Sequence, residues 1–211
     1  VILLLSLVMI ILPQIISSIS SLLAQLPDTI EKIGSSAFFS CTRLENINMP
    51  ANLKSIGSLA FFNCRAVEEL DLPDTLQSIG KSAFSYCSGL RRIYIPAQTA
   101  MIGTGVFMGC SALEDIELSG ENTQYRIIDK GLYTYDGSVL LAYPGAAGEE
   151  LYVAPGTERV TYGACAAAGI RYVSLPESLL YIGNYAFYSC NELEAPALPD
   201  GLLEIGTHAF D

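Results

Sequence analysis

The chain has 211 residues, of which 51% are apolar and 16% are charged, and its formal net charge is -11. This length and composition allow one domain with a large core. Because nucleic-acid binding requires a basic stripe along one face, the acidic balance excludes a nucleic-acid partner.

The chain begins with an uncharged, strongly apolar run over residues 1–13. A run of about 12 apolar residues is shorter than the roughly 20 that span a bilayer, and it suits the h-region of a secretory signal. We predict that residues 1–24 are a signal-peptide h- and c-region and that the protein is secreted or on the cell surface. The alternatives are a membrane segment or a buried capping segment. Because the chain starts at Val1 and stops at Asp211 in mid-repeat, we expect a longer polypeptide.

A motif then recurs every 23 residues, in four regular copies within residues 25–118 and in further copies within residues 155–211. Each full copy has an Ile-Gly pair, at Ile33-Gly34, Ile56-Gly57, Ile79-Gly80, Ile102-Gly103, Ile182-Gly183 and Ile205-Gly206. A small residue and Phe come next, followed by a cysteine column made of Cys41, Cys64, Cys87, Cys110 and Cys190. A fixed period of this length predicts a solenoid, in which each copy buries its apolar side only by stacking on its neighbours.

Each copy predicts the same local structure. The segment from Cys to Pro, as in residues 87–96, alternates apolar and polar positions, which predicts a short strand with Leu and Ile pointing inward. Proline closes the strand because it has no N–H to donate to a ladder. The Gly of the Ile-Gly pair permits a left-handed backbone angle. The Ala-Phe segment has room for only a helical turn or two.

The full motif, L-x-x-I-x-L-P-x-x-L-x-x-I-G-x-x-A-F-x-x-C, resembles the BspA-type leucine-rich repeat of bacterial surface proteins, over residues 26–118 and 155–211. The resemblance implies a right-handed leucine-rich-repeat solenoid, a repeat α/β fold rich in β-structure, with one parallel sheet along its concave face. It also implies an adhesin-like role, namely attachment to host matrix or plasma proteins or to other bacteria.

Residues 119–154 break the period and predict a β-hairpin insertion within the solenoid. Apolar and polar residues alternate around Asp136-Gly137, a dipeptide typical of a type I′ turn. We predict strands near residues 125–128, 132–135 and 139–143. Because tyrosine is favoured at recognition surfaces, we also predict a hairpin surface; the alternative is that these side chains cover the hairpin's own core. They are Tyr125, Tyr133, Tyr135 and Tyr143.

Residues 155–176 form a degenerate copy of the motif that is two residues short. Val160 takes the place of the isoleucine, and Cys165 takes the place of the phenylalanine. Ala168 then stands in the cysteine column. The six cysteines of the chain therefore do not all share one structural position.

The cysteine spacing favours buried free thiols. Strands of one sheet lie about 5 Å apart, so distance does not exclude disulfides, but parallel side-chain directions make the bond geometry poor. Disulfides and a metal site are the alternatives. The only histidine, His208, lies in a variable position and is expected to be exposed, so a Ser-His-Asp or Cys-His nucleophile has almost nothing to use. We predict no catalytic residue, no metal and no cofactor.

The outward positions of the predicted strands form a polar concave surface, which includes Asn46, Asn48 and Ser174. We predict that Glu69, Arg92 and Asp115 make a ladder of cross-strand ion pairs. Mutually paired, solvated charges are one interpretation and a glycosidase-like acid pair is another. A third is ligand contact, because solenoids bind along extended concave faces. We call its candidate residues the concave strip: Glu69, Asp71, Arg92, Tyr94, Asp115, Glu117 and Tyr172.

These observations favour a non-enzymatic extracellular or cell-surface module that binds a protein ligand through the solenoid face. The ligand would be a host matrix or plasma protein, or another bacterial surface. One alternative is a structural stalk that presents a domain outside this sequence. A more remote alternative is a secreted hydrolase. Membrane contact is expected only through the N-terminal segment.

Overall fold

A computed structural model of the protein describes residues 22–211, so nearly all of the predicted signal or membrane segment lies outside the described residues. The fold is a β-solenoid of about 8 stacked turns, and residues 22–211 contain no helix. Its strands are β1 (Leu22–Gln25), β2 (Lys32–Ile33), β3 (Leu44–Asn48), β4 (Ser55–Ile56), β5 (Glu69–Leu70), β6 (Ser78–Ile79), β7 (Arg92–Ile95), β8 (Met101–Ile102), β9 (Asp115–Leu118), β10 (Tyr125–Ile128), β11 (Gly131–Thr134), β12 (Val139–Ala142), β13 (Glu150–Tyr152), β14 (Arg159–Val160), β15 (Tyr172–Ser174), β16 (Tyr181–Ile182) and β17 (Glu204–Ile205).

The long-strand face of the solenoid is formed by β1, β3, β5, β7, β9, β13 and β15, and most of these strands lie just before a proline. Its strands pair in parallel as β1–β3, β5–β7–β9 and β13–β15. The expected single parallel sheet is therefore divided into three. The second division, between β9 and β13, falls where the insertion leaves the stack.

The Ile-Gly pairs form the second side of each coil. Strands β2, β4, β6 and β8 pair in parallel, with Ile33 facing Ile56, and Ile79 facing Ile102. The glycines that follow are needed for close packing, because a Cβ on Gly57 would lie 2.4 Å from the Ser35 backbone nitrogen. The predicted left-handed backbone angle at these glycines is wrong; the close approach of neighbouring coils explains the glycine.

The Ala-Phe segments form the third side, which we call the turn face. The predicted helical turns are absent there, because overlapping reverse turns replace them: Ala37 N–H donates to Gly34 O and Phe39 N–H donates to Ser36 O. Residues with positive φ separate these turns, such as Ser36 at 58°. This geometry turns backbone groups toward the next coil, and Phe38 N–H donates to Ala60 O at 2.7 Å. Inside, the phenylalanines stack at centroid distances of 5.0 to 5.9 Å from Phe38 to Phe107.

The insertion is an antiparallel meander, β10–β11–β12, whose last strand joins the solenoid by pairing in parallel with β14. All three predicted strands are present within a residue of their expected ends. The type I′ turn at Asp136-Gly137 is wrong, since only Gly137 has a positive φ there. The Asp136 carboxylate accepts from Ser138 N–H and shapes this longer loop. The two-residue loop with positive φ at both positions is Asp129-Lys130.

The degenerate copy stacks as predicted. Val160 faces Ile182 in the short-strand sheet. Cys165 N–H donates to Ala186 O at 2.8 Å, the bond that phenylalanine makes in regular coils. Cys190 Sγ donates to Cys165 O, as other column cysteines donate to a phenylalanine carbonyl. The sequence assignment of the cysteine column is therefore confirmed.

Candidate functional site

Strands β5, β7 and β9 bring six residues of the concave strip together. Glu69 faces Arg92, Arg92 faces Asp115, and Tyr94 faces Glu117 on adjacent strands. Alternation along each strand exposes these side chains while Ile93 and Leu70 are buried. The sequence thus positions the strip by placing one polar residue beside each buried aliphatic residue.

The predicted ion-pair ladder is only half present. Arg92 Nη2 lies 3.3 Å from Glu69 Oε1, and residues 22–211 contain no ion pair between Arg92 and Asp115. Both partners of the observed pair are exposed, so it contributes about 1 kcal/mol or less to stability. Arg92 is therefore held only weakly by this pair.

A shallow cavity of about 230 Å³ follows this part of the strip. Three carboxylates and one guanidinium surround it, together with the Tyr94 ring, which is 37% exposed. Such a site offers acceptors to a basic side chain and an aromatic surface for apolar contact. Its lining residues are Glu69, Leu70, Asp71, Arg92, Ile93, Tyr94 and Glu117.

Tyr172 does not join that cluster, because it lies on β15, beyond the break in the long-strand face. Its neighbours are Glu150 and Tyr152 of β13, which the sequence reasoning missed. Tyr152 is 57% exposed and its hydroxyl donates to Glu150 Oε2 at 2.8 Å, which raises the pKa of the phenol. The alternating segment Glu150-Leu151-Tyr152 was the sequence signal that could have identified them.

The predicted tyrosine surface on the hairpin is wrong for three of its four members. Tyr125, Tyr133 and Tyr143 are buried, and only Tyr135, at 59% exposure, lies on the surface. The insertion interrupts the backbone hydrogen-bond ladders between coils. Tyrosine hydroxyls there accept hydrogen bonds from backbone N–H groups that would otherwise pair with the next coil. Tyr125 Oη accepts from Ile102 N–H at 2.8 Å, and Tyr133 Oη accepts from Ala154 N–H at 3.2 Å. Burial raises the pKa of Tyr133 and of Tyr143 to about 12.

The six cysteines are buried and free. Cys64 Sγ donates to Phe38 O at 3.0 Å and Cys87 Sγ donates to Phe61 O at 3.1 Å, so each thiol bonds to the preceding coil. Burial raises the pKa of Cys87 to about 12, which keeps that sulfur protonated. Within residues 22–211, no group of three or more His, Cys, Asp or Glu is placed to hold a metal ion. Four thiols of the column thus donate structural hydrogen bonds, namely those of Cys64, Cys87, Cys110 and Cys190.

A sequence profile of the BspA-type leucine-rich repeat region matches residues 6–134 and 158–211, in 6 copies. Among solved structures, the chain is similar to the pneumococcal vaccine antigen PcpA, at 23% identity and a TM-score of 0.66, over 85% of this chain and 51% of that one. A leucine-rich repeat protein from Bacteroides ovatus gives 25% identity and a TM-score of 0.57, over 87% of this chain and 45% of that one. A leucine-rich cell surface protein from Faecalibacterium prausnitzii gives 23% identity and a TM-score of 0.54, over 89% of this chain and 69% of that one.

The chain spans about half the length of the first two of these structures. The similarity to these structures establishes the solenoid fold and gives no information about a ligand. No curated protein sequence matches the chain at a significant level. In residues 22–211, no helix has the length and apolar character that crossing a membrane requires.

Proposed function

Since the chain belongs to the BspA-type leucine-rich repeat family, we propose that it is a secreted or cell-surface module that binds a protein ligand through the concave strip, in the manner of an adhesin. The observation that carries this proposal is the exposed cluster of Arg92, Tyr94 and three carboxylates around one shallow cavity. The ligand would be a host matrix or plasma protein, or a protein on another bacterium. Residues 1–24 would direct secretion.

Exposed aromatic side chains on more than one strand support binding over the stalk alternative. A stalk needs only a solvated polar surface, whereas Tyr94, Tyr152 and Tyr172 each expose more than a third of their surface on the long-strand face. Tyrosine and arginine are enriched where proteins bind one another, because both offer large contact areas together with polar groups. The stalk is the second candidate.

A hydrolase has less support from the geometry. A glycosidase needs an acid pair whose environments separate their pKa values, usually within a cleft. Glu69, Asp71 and Glu117 are instead all exposed on an open sheet. We therefore propose a non-enzymatic role.

The test is binding of the purified chain to a panel of matrix and plasma glycoproteins, compared with an Arg92→Glu/Tyr94→Ala variant. Circular dichroism establishes that the variant is folded. Lys54→Glu is the matched control, because Lys54 is also exposed and paired with an acid, Glu31, at 2.9 Å, but lies away from the strip. We expect saturable binding that the double variant loses and the control keeps. Binding that survives in the double variant would overturn the proposed site, and no binding at all would favour the stalk.

A further inference from the structure

Four tyrosines gather on the turn face, away from the concave strip. Tyr162 and Tyr185 lie 5.7 Å apart between ring centroids, and Tyr185 and Tyr188 lie 5.4 Å apart. Tyr86 lies on the same face, one coil beyond residues 103–110, since its N–H donates to Met108 O at 2.7 Å. All four side chains are half-exposed. We call this group the turn-face patch.

The patch depends on the looping out of the insertion, because its members come from coils far apart in sequence. Gly109 N–H donates to Ala166 O at 3.2 Å, so the coil of residues 103–110 stacks directly on the coil of residues 161–168. Tyr86 approaches this junction from one side and Tyr162 from the other. The patch therefore forms only where the two stretches of repeats meet.

Two glycines at the junction make room for tyrosine rings. A Cβ on Gly105 would lie 2.6 Å from Tyr162 Cδ1, and a Cβ on Gly109 would lie 2.7 Å from Tyr86 Cδ1. Positive φ alone does not require glycine here, because Ser82 has the same left-handed conformation at the position equivalent to Gly105. The tyrosines are thus seated on the backbone of one coil, which fixes their rings on the surface.

The turn face is almost uncharged in a strongly acidic chain. The chain has 22 Asp and Glu residues, yet the turn-face segments between the glycine and cysteine columns contain only Asp211 among them. Lys81 is the one lysine on this face, and its Nζ lies 4.8 Å from the Tyr162 ring centroid. The remaining polar groups are hydroxyls and amides, such as Ser189 and Asn184, and the imidazole of His208, which stacks on Tyr185 at a centroid distance of 5.1 Å and pairs with Asp211. An ionic ligand would find little attraction here, and a neutral one would find many partners.

We propose that the turn-face patch binds a neutral oligosaccharide. Tyrosine rings present an apolar surface to the C–H face of a pyranose, while their hydroxyls can both donate and accept hydrogen bonds. Each sugar hydroxyl can both donate and accept hydrogen bonds, which matches the mixed hydroxyl and amide groups around the patch. A proline-rich peptide offers mainly carbonyl acceptors and would leave those side-chain acceptors unused. This site is separate from the protein-binding strip.

The test is calorimetric titration of the chain of residues 1–211 with cellohexaose, maltohexaose and chitohexaose. One of these hexasaccharides is expected to bind. Tyr86→Ala/Tyr162→Ala should lower the affinity for that sugar by about tenfold or more, as expected when central interface aromatics are truncated. Gly105→Ser should also weaken binding, because it displaces the Tyr162 ring while keeping a residue type that the equivalent position accepts. Gly34→Ala is the control, since a Cβ there meets nothing within 4 Å.

The proposal is supported if both patch variants lose affinity while Gly34→Ala and Arg92→Glu bind as the parent chain does. Circular dichroism of each variant establishes that the solenoid is intact, and Gly105→Ser keeps the test valid if the double variant does not fold. Absence of binding to all three hexasaccharides would overturn the proposal. Binding unchanged in both patch variants, or binding of decaproline instead of any sugar, would overturn it equally.

Discussion

The regular coils and the insertion satisfy the same buried backbone groups with different partners. In the regular coils each ladder continues into the next coil, as where Gly57 N–H donates to Ile33 O at 2.8 Å. At the insertion the short-strand ladder stops at β8, and the hydroxyl of Tyr125 becomes the acceptor for Ile102 N–H. Buried backbone groups must be paired, so a side chain supplies what the missing coil does not. The buried Tyr125 and Tyr133 of the insertion are therefore structural residues.

The hydrophobic core shows the same division. One cluster runs through the regular coils and ends at the insertion, where Leu141 and Ala142 belong to it. A second cluster begins at Tyr133 and Leu140 and continues into the later coils. Neighbouring residues of β11 and β12 thus face different cores. The insertion joins two stacks, and its loss would weaken both.

Truncation of Tyr133 should give the largest loss of stability. Tyr133→Ala removes a fully buried ring and leaves Ala154 N–H without its acceptor, so we expect the free energy of unfolding to fall by about 3–5 kcal/mol. Tyr133→Phe should cost about 1–3 kcal/mol, since only the hydroxyl is lost. Urea denaturation measures both, with the exposed Tyr135→Ala as a control expected within about 0.5 kcal/mol of the parent. Equal stability of Tyr133→Phe and the parent would show that the hydrogen bond between Ala154 N–H and the Tyr133 hydroxyl does not stabilise the fold.

High pH should lower the stability of the protein, and Tyr133 should contribute to that loss above pH 10. Burial raises the pKa of Tyr133 to about 12 from the ordinary value of 10.0. Below pH 10 both the folded and unfolded states keep the proton. Above pH 10 the unfolded chain loses it first, so the free energy of unfolding falls between about pH 10 and 12, by up to about 3 kcal/mol from this group. Urea midpoints measured from pH 8 to 12 test this, and Tyr133→Phe should show a shallower decline. An identical decline of the urea midpoint in both chains would show that Tyr133 does not contribute to the loss of stability at high pH.

A substitution at any one position of the cysteine column should cost less stability than truncation of Tyr133. Cys87→Ala removes the sulfur and its bond to the Phe61 carbonyl, and we expect a loss of about 1–2 kcal/mol by urea denaturation. The native Ala168 shows that a coil accepts alanine in this column. Treatment of the folded protein with a thiol reagent should leave Cys87 unmodified, because it is buried. Rapid modification without unfolding would contradict its burial.

Exposed ion pairs should contribute least. Glu69→Gln removes the partner of Arg92, and the expected change in unfolding free energy is about 1 kcal/mol or less. Removing the pair should nevertheless change ligand binding if Arg92 contacts the ligand directly. A large loss of stability would show that the strip is structural.

The 23-residue period was sufficient to predict the columns of the solenoid, because burial depends on each residue's place within its own coil. Ile33 and Ile56 face each other as their spacing requires. The strands of the insertion also followed from alternation, a local signal. The roles of Tyr125 and Tyr133 could not be predicted, since their partners, Ile102 and Ala154, are set by how the ladder is interrupted. The turn-face patch was missed because Tyr86 and Tyr162 pack on the same coil, residues 103–110, only once the segment between that coil and Tyr162 has looped out.

The most direct test of the proposed function compares the two regions as ligand surfaces. The glycoprotein that binds best in the panel is titrated against the parent chain, Arg92→Glu/Tyr94→Ala from the regular coils, and Tyr135→Ala from the insertion. We predict that the first variant loses binding at unchanged melting temperature while Tyr135→Ala binds like the parent. Loss of binding in Tyr135→Ala, with the Arg92 and Tyr94 variant unaffected, would place recognition on the insertion and contradict the account.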